Sequence, residues 1–251
     1  MNSRPGHTLA LLLALAAPTA GEEAVVAVAA NFAEVVERLE ADFERDGRHT
    51  LTFVAGSTGK LYAQIVHGAP FDAFLAADQE RPELLEREGL AVAGSRFTYA
   101  TGRLTLWSRE PGRVGSDGAA TLRRGGFRLL AIANPELAPY GAAARQTLEK
   151  LGLWSSLGGK IVMGETIGQA HAMVASGNAE LGFVALSSVI SPRNQLPGSR
   201  WDVPAELYEP IRQDAVLLKR AAGNAAARGF LEYLRGAEAR ALIESYGYRV
   251  E

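Results

Sequence analysis

Neutral hydrogen-bond donors occupy four points of the chain where a short apolar run gives way to a helical pattern. These segments are Asn31, Gly56–Gly59, Pro139–Ala142 and Gly164–Ile167. The start of a helix carries unpaired backbone N–H groups and the positive end of the helix dipole, so several starts in one cleft can bind an anion without lysine or arginine. Side-chain donors in the same segments are the Asn31 amide, the Ser57 and Thr58 hydroxyls and the Tyr140 phenol.

Each of these residues also has an ordinary structural explanation, because Ser, Thr and Asn are common helix caps. Only the combination of four segments indicates a site. A fully ionised dianion needs donors and is repelled by carboxylates, whereas protonated phosphate needs an acceptor for its own proton. The expected contact positions carry no Asp, and Glu165, close to Ile167, is the one carboxylate that could disturb such a site.

Ser57 to Lys60 also matches S-x-x-K, the nucleophile motif of penicillin-binding proteins and β-lactamases. This motif keeps an enzyme alternative open, an exported serine acyl-enzyme with Ser57 as nucleophile and Lys60 as base. The chain lacks the S-D-N and K-T-G motifs that complete such a site. We therefore favour a binding protein without catalytic residues over the enzyme.

Histidines could indicate a metal site, but His49, His67 and His171 lie on separate predicted elements without an H-x-x-x-H pair. This spacing favours structural or surface histidines. We expect no bound cofactor and no direct bond from the protein to a metal ion.

Alternating strands and helices must position the donor segments. Strands are predicted at 24–29, 52–54, 73–75, 129–133, 160–163 and 181–184. Helices are predicted after Asn31 and at 60–67, 78–88, 141–151, 166–176 and 225–246, and loops at 111–126 and 191–209. This alternation is typical of an α/β protein with parallel strand pairs, and it places the donors beyond the carboxyl ends of the strands.

Two extended segments, at 98–107 and 213–219, interrupt the alternation. They predict two crossovers between a first lobe (22–102 with 215–251) and a second lobe (103–214). The crossovers would act as the hinge, and the ligand would lie between the lobes.

Composition excludes several classes of protein. The chain has 251 residues, of which 47% are hydrophobic and 22% charged, with a net charge of -2 and no cysteine. Such a chain is globular rather than disordered, lacks the basic excess of a nucleic-acid binder, and can form neither disulfides nor cysteine metal sites.

The first 21 residues have the pattern of a secretory signal peptide. Arg4 precedes an apolar run, Thr8–Ala17, and small residues follow, with cleavage expected between Ala20 and Glu22. The apolar run is shorter than the roughly 20 residues that span a bilayer. Without a cysteine to carry a lipid anchor, the mature protein is expected to be free in a periplasm.

Four stretches of the sequence have a distinctive composition: VAVAANF (26–32), GSTGKLYAQIVHGAPFDAFLAADQERPELLEREGL (56–90), AIANPELAPYGAAA (131–144) and GNAELGFVALS (177–187). They closely resemble the periplasmic molybdate-binding proteins of ABC importers. The resemblance implies a type II periplasmic-binding-protein fold, in which two lobes, each a mixed, mostly parallel sheet flanked by helices, close on molybdate or tungstate. It also implies a monomer that delivers the anion to an inner-membrane permease.

The same resemblance implies a set of ligand residues that bind through neutral donors. These are Asn31, Ser57, Tyr140 and the backbone N–H of Ile167, with Ala30, Thr58 and Gly141 from the same loops. The chain departs from some members at Ala30, where they carry a hydroxyl residue, and near Ala185, where others carry a tyrosine. Both departures remove a side-chain donor, part of which Tyr140 could supply.

Overall fold

Two five-stranded sheets make up the two lobes of the computed structural model, which describes residues 22–250. The predicted signal peptide lies outside the described residues. The strands are β1 (Glu22–Ala29), β2 (His49–Gly56), β3 (Ala73–Leu75), β4 (Phe97–Gly102), β5 (Leu104–Ser108), β6 (Leu130–Ala133), β7 (Ile161–Gly164), β8 (Leu181–Ala185), β9 (Ser199–Asp202) and β10 (Ile211–Leu217).

Helices flank both sheets. They are α1 (Ala33–Phe43), α2 (Thr58–Val66), α3 (Glu80–Arg87), α4 (Gly118–Arg124), α5 (Pro139–Lys150), α6 (Trp154–Leu157), α7 (Ile167–Ala175), α8 (Leu186–Ile190), α9 (Ala225–Arg235) and α10 (Ala237–Ser245). Within residues 22–250, no helix combines the length and the apolar character that a bilayer span requires.

Both sheets are mixed, as predicted. The first has the order β2-β1-β3-β10-β4, with β1 parallel to β2 and β3, and with β10 antiparallel to β3 and β4. The second repeats this plan as β7-β6-β8-β5-β9, with β6 parallel to β7 and β8, and with β5 antiparallel to β8 and β9. The parallel side of each sheet feeds the helices that carry the donor segments.

The chain passes between the lobes at two neighbouring points. It leaves the first sheet at Gly102 and enters the second at Leu104, and it returns as β10, which pairs with β4 from Ile211 onward. The first sheet therefore includes residues 211–214, which the sequence division assigns to the second lobe. The extended pattern at 213–219 predicted this strand, but it placed the start of the strand two residues too late.

Each lobe has its own hydrophobic core. Strand β1 shows the alternation clearly, because Val26 and Val28 face one side of the first sheet and Ala27 faces the other. Helix α9 covers the first of these sides with Phe230, Leu231 and Leu234, and full burial of each such side chain contributes about 1.5–3 kcal/mol. The second lobe has a separate core around β6 and β8.

Three expected elements differ from the structure. The helix predicted over 225–246 is broken at Gly236, whose backbone is extended, so that α9 and α10 are two helices. The predicted loop 111–126 contains α4, capped by the Asp117 carboxylate at the Ala120 N–H, 2.9 Å away. The predicted loop 191–209 contains β9, whose pairing with β5 is a long-range interaction that local periodicity does not show.

Candidate anion-binding site

A small cavity lies between the lobes, where the donor segments meet. Its lining comprises Ala29, Ala30, Asn31, Gly56, Ser57, Thr58, Ala77, Ala138, Pro139, Tyr140, Thr166 and Ile167. Among the described residues that line it, none has a charged side chain. The four residues predicted as main ligands, Asn31, Ser57, Tyr140 and Ile167, therefore border one cavity, together with Ala30 and Thr58.

Ser57 is the most direct sign of a ligand in this cavity. It is the N-cap of α2, it is 2% exposed, and its hydroxyl oxygen finds no hydrogen-bond partner within the described part of the chain. A buried polar group without a partner costs about 1–3 kcal/mol. A bound anion would remove this cost by accepting the hydroxyl hydrogen.

Thr58 has a structural role beside Ser57. Its hydroxyl oxygen accepts a hydrogen bond from the backbone N–H of Ala77 at 3.1 Å. Ala77 follows β3 and also lines the cavity. The bond therefore fixes the start of α2 against the neighbouring strand end.

Ile167 is placed by the cap of α7. The Thr166 hydroxyl accepts from the N–H of Gln169 at 3.1 Å, and the Gln169 side chain accepts from the N–H of Glu165 at 2.6 Å. As the first residue of α7, Ile167 has a backbone N–H without an acceptor inside the helix. Its side chain is buried in the core of the second lobe, which fixes the direction of that N–H.

Asn31 follows β1 in a short 3₁₀ turn and is 6% exposed. Its side-chain nitrogen donates to Gln213 Oε1 at 2.9 Å and to Tyr248 Oη at 3.1 Å. Both amide hydrogens are thereby engaged. The donors left to this turn are the backbone N–H groups of Ala30 and Asn31, which have no acceptor inside it.

Tyr140 lies in the first turn of α5, behind Pro139, and is 1% exposed. Its hydroxyl oxygen accepts from Gln213 Nε2 at 3.4 Å. Burial raises the pKa of the Tyr140 phenol well above its usual value of 10, so the hydroxyl keeps its hydrogen at neutral pH. Tyr140 can therefore act as a neutral donor.

Gly141 is the one predicted residue that does not border the cavity. Its N–H donates to the carbonyl of Ala138 at 2.8 Å. A Cβ at this position would lie 2.4 Å from the carbonyl oxygen of Ala133, so the close approach of α5 to β6 requires glycine. Packing explains this residue without a ligand.

The two lobes contact each other directly beside the cavity. The Lys60 ammonium of the first lobe pairs with both carboxylate oxygens of Glu165 from the second, at 3.0 and 3.2 Å. The N–H of Gly59 donates to the carbonyl of Leu137 at 2.9 Å. Glu165 is thus occupied by a cation and does not border the cavity, which removes the carboxylate that could have repelled an anion.

The enzyme alternative and a histidine metal site find no support in this geometry. The Ser57 hydroxyl has no partner within residues 22–250, so Lys60 does not bind it as a base would, and Lys60 is held by Glu165.

The histidines do not form a metal site in the described structure. His171 stacks on Trp107 with ring centroids 5.0 Å apart, and burial lowers the pKa of His171 below 6.5. No group of three or more potential metal-ligating side chains occurs in the described residues.

Comparison with known proteins agrees with the two-lobed architecture. The family model described as bacterial extracellular solute-binding protein matches residues 24–249. The chain belongs to this family. This solute-binding protein is 52% identical over 240 residues to the molybdate-binding protein ModA of Azotobacter vinelandii, covering 96% of this chain and 94% of that protein. It is 48% identical to the molybdate-binding protein ModA of Rhodobacter capsulatus, covering 99% and 97% of the two chains.

A solved structure of the periplasmic molybdate-binding protein of Azotobacter vinelandii superposes with a TM-score of 0.87. The two share 44% identity, and the match covers 91% of this chain and 99% of the solved one. The expected two-lobed fold of a binding protein and the family resemblance are therefore confirmed. The acyl-enzyme alternative is not supported, because these relatives are binding proteins.

Sequence reasoning missed the residues behind the cavity, above all Gln213, Tyr248 and Gly102. Gln213 is 0% exposed, but in the sequence it stands between the charged residues Arg212 and Asp214 and gives no signal of its burial. Tyr248 and Gly102 carry no such signal either, because their proximity to Asn31 and Tyr140 arises only when the two lobes and the C-terminal segment come together.

Proposed function

We propose that this solute-binding protein captures molybdate, and also tungstate, between its two lobes and delivers the anion to an inner-membrane ABC permease. The observation that carries this proposal is the small cavity between the lobes, which has a neutral lining and is bordered by the buried Ser57 hydroxyl, a group without a partner among the described residues. Relatives with about half of their residues identical to this chain are named molybdate-binding proteins, which supports the same proposal.

The chemistry of the lining favours a fully ionised tetrahedral dianion. Hydroxyl and N–H groups can donate to all four oxygens, and within the described lining no carboxylate is present to accept the proton of a hydrogen phosphate. Sulfate satisfies the same donors, so cavity size and the longer metal–oxygen bonds must distinguish molybdate from it.

Binding at this place would hold the lobes closed. Asn31 and Ser57 come from the first lobe and Tyr140 and Ile167 from the second, so the anion gains its full set of donors only in the closed state. The shift toward closure is as large as the difference in affinity between the two states. A permease can then recognise the closed, loaded protein.

We also propose that the protein acts as a monomer in the periplasm after removal of residues 1–21, without a lipid anchor. The sequence pattern of the first 21 residues and the absence of cysteine support this proposal. Intact-mass analysis of protein from a periplasmic fraction tests it, and the expected mass is that of the cleaved, unmodified chain. A mass that retains the leader or carries a lipid would contradict it.

Calorimetric titration with molybdate, tungstate, sulfate and phosphate tests the binding function. We expect tight binding of molybdate and tungstate, weaker binding of sulfate and none of phosphate. Because a ligand that binds only the folded state stabilises it, saturating molybdate should also raise the melting temperature. Absence of heat and of a thermal shift with both molybdate and tungstate would overturn the proposal.

A further inference from the structure

Gln213 lies at the junction of the two lobes, behind the cavity. It belongs to β10, at the point where the register of this strand against β4 shifts between Gln213 and Asp214. The side chain is completely buried, and both ends of its amide have hydrogen-bond partners. A buried amide needs such partners, and here they come from both lobes.

The oxygen end of this amide is fixed by the first lobe. Gln213 Oε1 accepts from Asn31 Nδ2 at 2.9 Å, and the Tyr99 hydroxyl lies 3.1 Å from it. The other neighbour of that hydroxyl is the carbonyl oxygen of Ala76, also at 3.1 Å, so the single Tyr99 hydrogen is shared between two acceptors. With its oxygen held in this way, the amide must direct its nitrogen toward the second lobe.

The nitrogen end therefore determines how Tyr140 can bond. Gln213 Nε2 has hydrogens but no lone pair for accepting, so the Tyr140 oxygen, 3.4 Å away, must accept on this side. Its single hydrogen remains for another acceptor, and within the protein that acceptor is the neutral Tyr248 hydroxyl. Tyr248 also accepts from Asn31 at 3.1 Å, bonds to Ser187 at 3.1 Å and donates to the Asn31 carbonyl at 2.8 Å. A charged acceptor forms a stronger hydrogen bond than a neutral one. A dianion in the cavity is then the better acceptor for Tyr140.

Gly102 provides the space for this arrangement. A Cβ on Gly102, at the first crossover, would lie 2.1 Å from Tyr140 Oη and 2.7 Å from Gln213 Nε2. The two polar groups meet where the chain passes from one lobe to the other. Their contact thus forms in the closed arrangement of the lobes.

We propose that Gln213 is a positioning residue that joins Asn31 of the first lobe to Tyr140 of the second and holds the Tyr140 hydroxyl as a donor toward the bound oxyanion. This proposal rests on the proposed function. It extends that function to a residue outside the cavity lining, one that sets the direction of a hydrogen bond without contacting the ligand.

Two substitutions separate this role from simple packing. In Gln213→Glu the ionised carboxylate keeps its bonds with Asn31 and Tyr99 but can only accept, so it draws the Tyr140 hydrogen away from the anion and adds a negative charge. We expect the molybdate Kd at pH 8 to rise about tenfold or more. The affinity should recover as the pH falls toward 6, because a protonated carboxyl can donate a hydrogen bond again. Burial raises the pKa of such a carboxyl, which brings its titration into this range.

The pH response of Gln213→Glu should arise from the new carboxyl. The groups that face position 213 are the phenols of Tyr99, Tyr140 and Tyr248, whose pKa values burial raises above 10, and they stay neutral between pH 6 and 9. The adjacent Asp214 is bonded to Arg96 at 2.7 Å. Wild-type protein should therefore show a nearly constant Kd over this range.

Gln213→Met is the matched control, since it keeps the volume of the side chain and removes its hydrogen bonds with Asn31, Tyr99 and Tyr140. We expect a smaller loss of affinity than for Gln213→Glu at pH 8, without the pH response. In the Gln213→Met background, Tyr140→Phe should cost little further affinity, because Tyr140 has already lost its fixed direction. Melting temperatures without ligand confirm that each variant folds.

Either of two results would overturn the proposal. One is wild-type affinity in both Gln213 variants, and the other is an equal, pH-independent loss in both, which would mean that Gln213 only packs. If Gln213→Glu does not fold, additive costs of Gln213→Met and Tyr140→Phe would have the same meaning. A wild-type protein that binds none of the four anions would instead overturn the proposed function and this proposal with it.

Discussion

At the scale of single residues, the site is made of groups that are neutral and already held in place. Ser57 is the exception, because its buried hydroxyl has no partner in the described structure and is left for a ligand. The polar side chains of Asn31, Thr58 and Tyr140 each have a protein partner. These bonds fix the turns from which backbone N–H groups face the cavity.

Ser57→Ala should weaken molybdate binding by about 1–3 kcal/mol, as expected for loss of a hydrogen bond to a charged group. Calorimetric titration measures the change. The same substitution should leave the stability of the ligand-free protein unchanged or slightly higher, since it removes a buried hydroxyl that has no partner. Ser176→Ala, at an exposed serine that bonds to the Met173 carbonyl, serves as the control and should bind as the wild type does. An unchanged Kd in Ser57→Ala would remove Ser57 from the site.

At the scale of elements, the site depends on helices that start at a defined residue beside the cavity. Helix α7 starts at Ile167 because the Thr166 hydroxyl satisfies the N–H of Gln169. Helix α2 starts directly after Ser57, and the bond between Thr58 and Ala77 fixes that start. The cap residues therefore determine where free N–H groups point as well as how stable the helices are.

Thr166→Ala should lower the stability of the protein by about 1 kcal/mol, which is typical for loss of an N-cap. It should also weaken molybdate binding, because the first turn of α7 supplies the Ile167 N–H. Asp117→Ala removes the cap of α4, whose residues do not border the cavity, and is the matched control. Chemical denaturation and titration on both variants give the comparison: similar losses of stability are expected, with reduced affinity only in Thr166→Ala. Equal affinities would show that the start of α7 contributes nothing to the site.

At the scale of the whole molecule, closure brings two lobes with separate cores around one small cavity. Direct contacts between the lobes support this state, among them the Lys60–Glu165 ion pair and the bond from Gly59 to Leu137. Both lysine and glutamate are more than a third exposed, so the pair should contribute only about 0.2–1 kcal/mol. Such a contact is weak enough to break when the lobes open.

Lys60→Met should increase the dissociation rate of molybdate more than Glu165→Gln does. Both variants lose the ion pair, but the first also removes a positive charge near the anion, whereas the second removes a negative one. Stopped-flow measurements at low and high salt test this order, and the differences should shrink at high salt because exposed charges are screened. No effect of either variant would mean that the pair plays no part in closure, and a larger effect of Glu165→Gln would mean that the lysine charge does not help to hold the anion.

The sequence by itself determined the alternation of strands and helices, the two-lobed α/β class and the segments that carry the donors. These features are local, since periodicity and cap residues decide them within a few positions, and the long GSTGK segment made the family recognisable. The sequence did not predict helix α4 or strand β9. Helix α4 is only seven residues long, and strand β9 pairs with β5, which is distant in the sequence.

Only the tertiary structure decided which donors are free. Ser57 and Thr58 look equivalent in the sequence, yet one hydroxyl is unpaired and the other is bonded to Ala77. The engagement of the Asn31 amide by Gln213 depends on residues 182 positions apart in the chain. Hydrogen bonds between such distant groups form only in the folded protein, so no local pattern could have shown them.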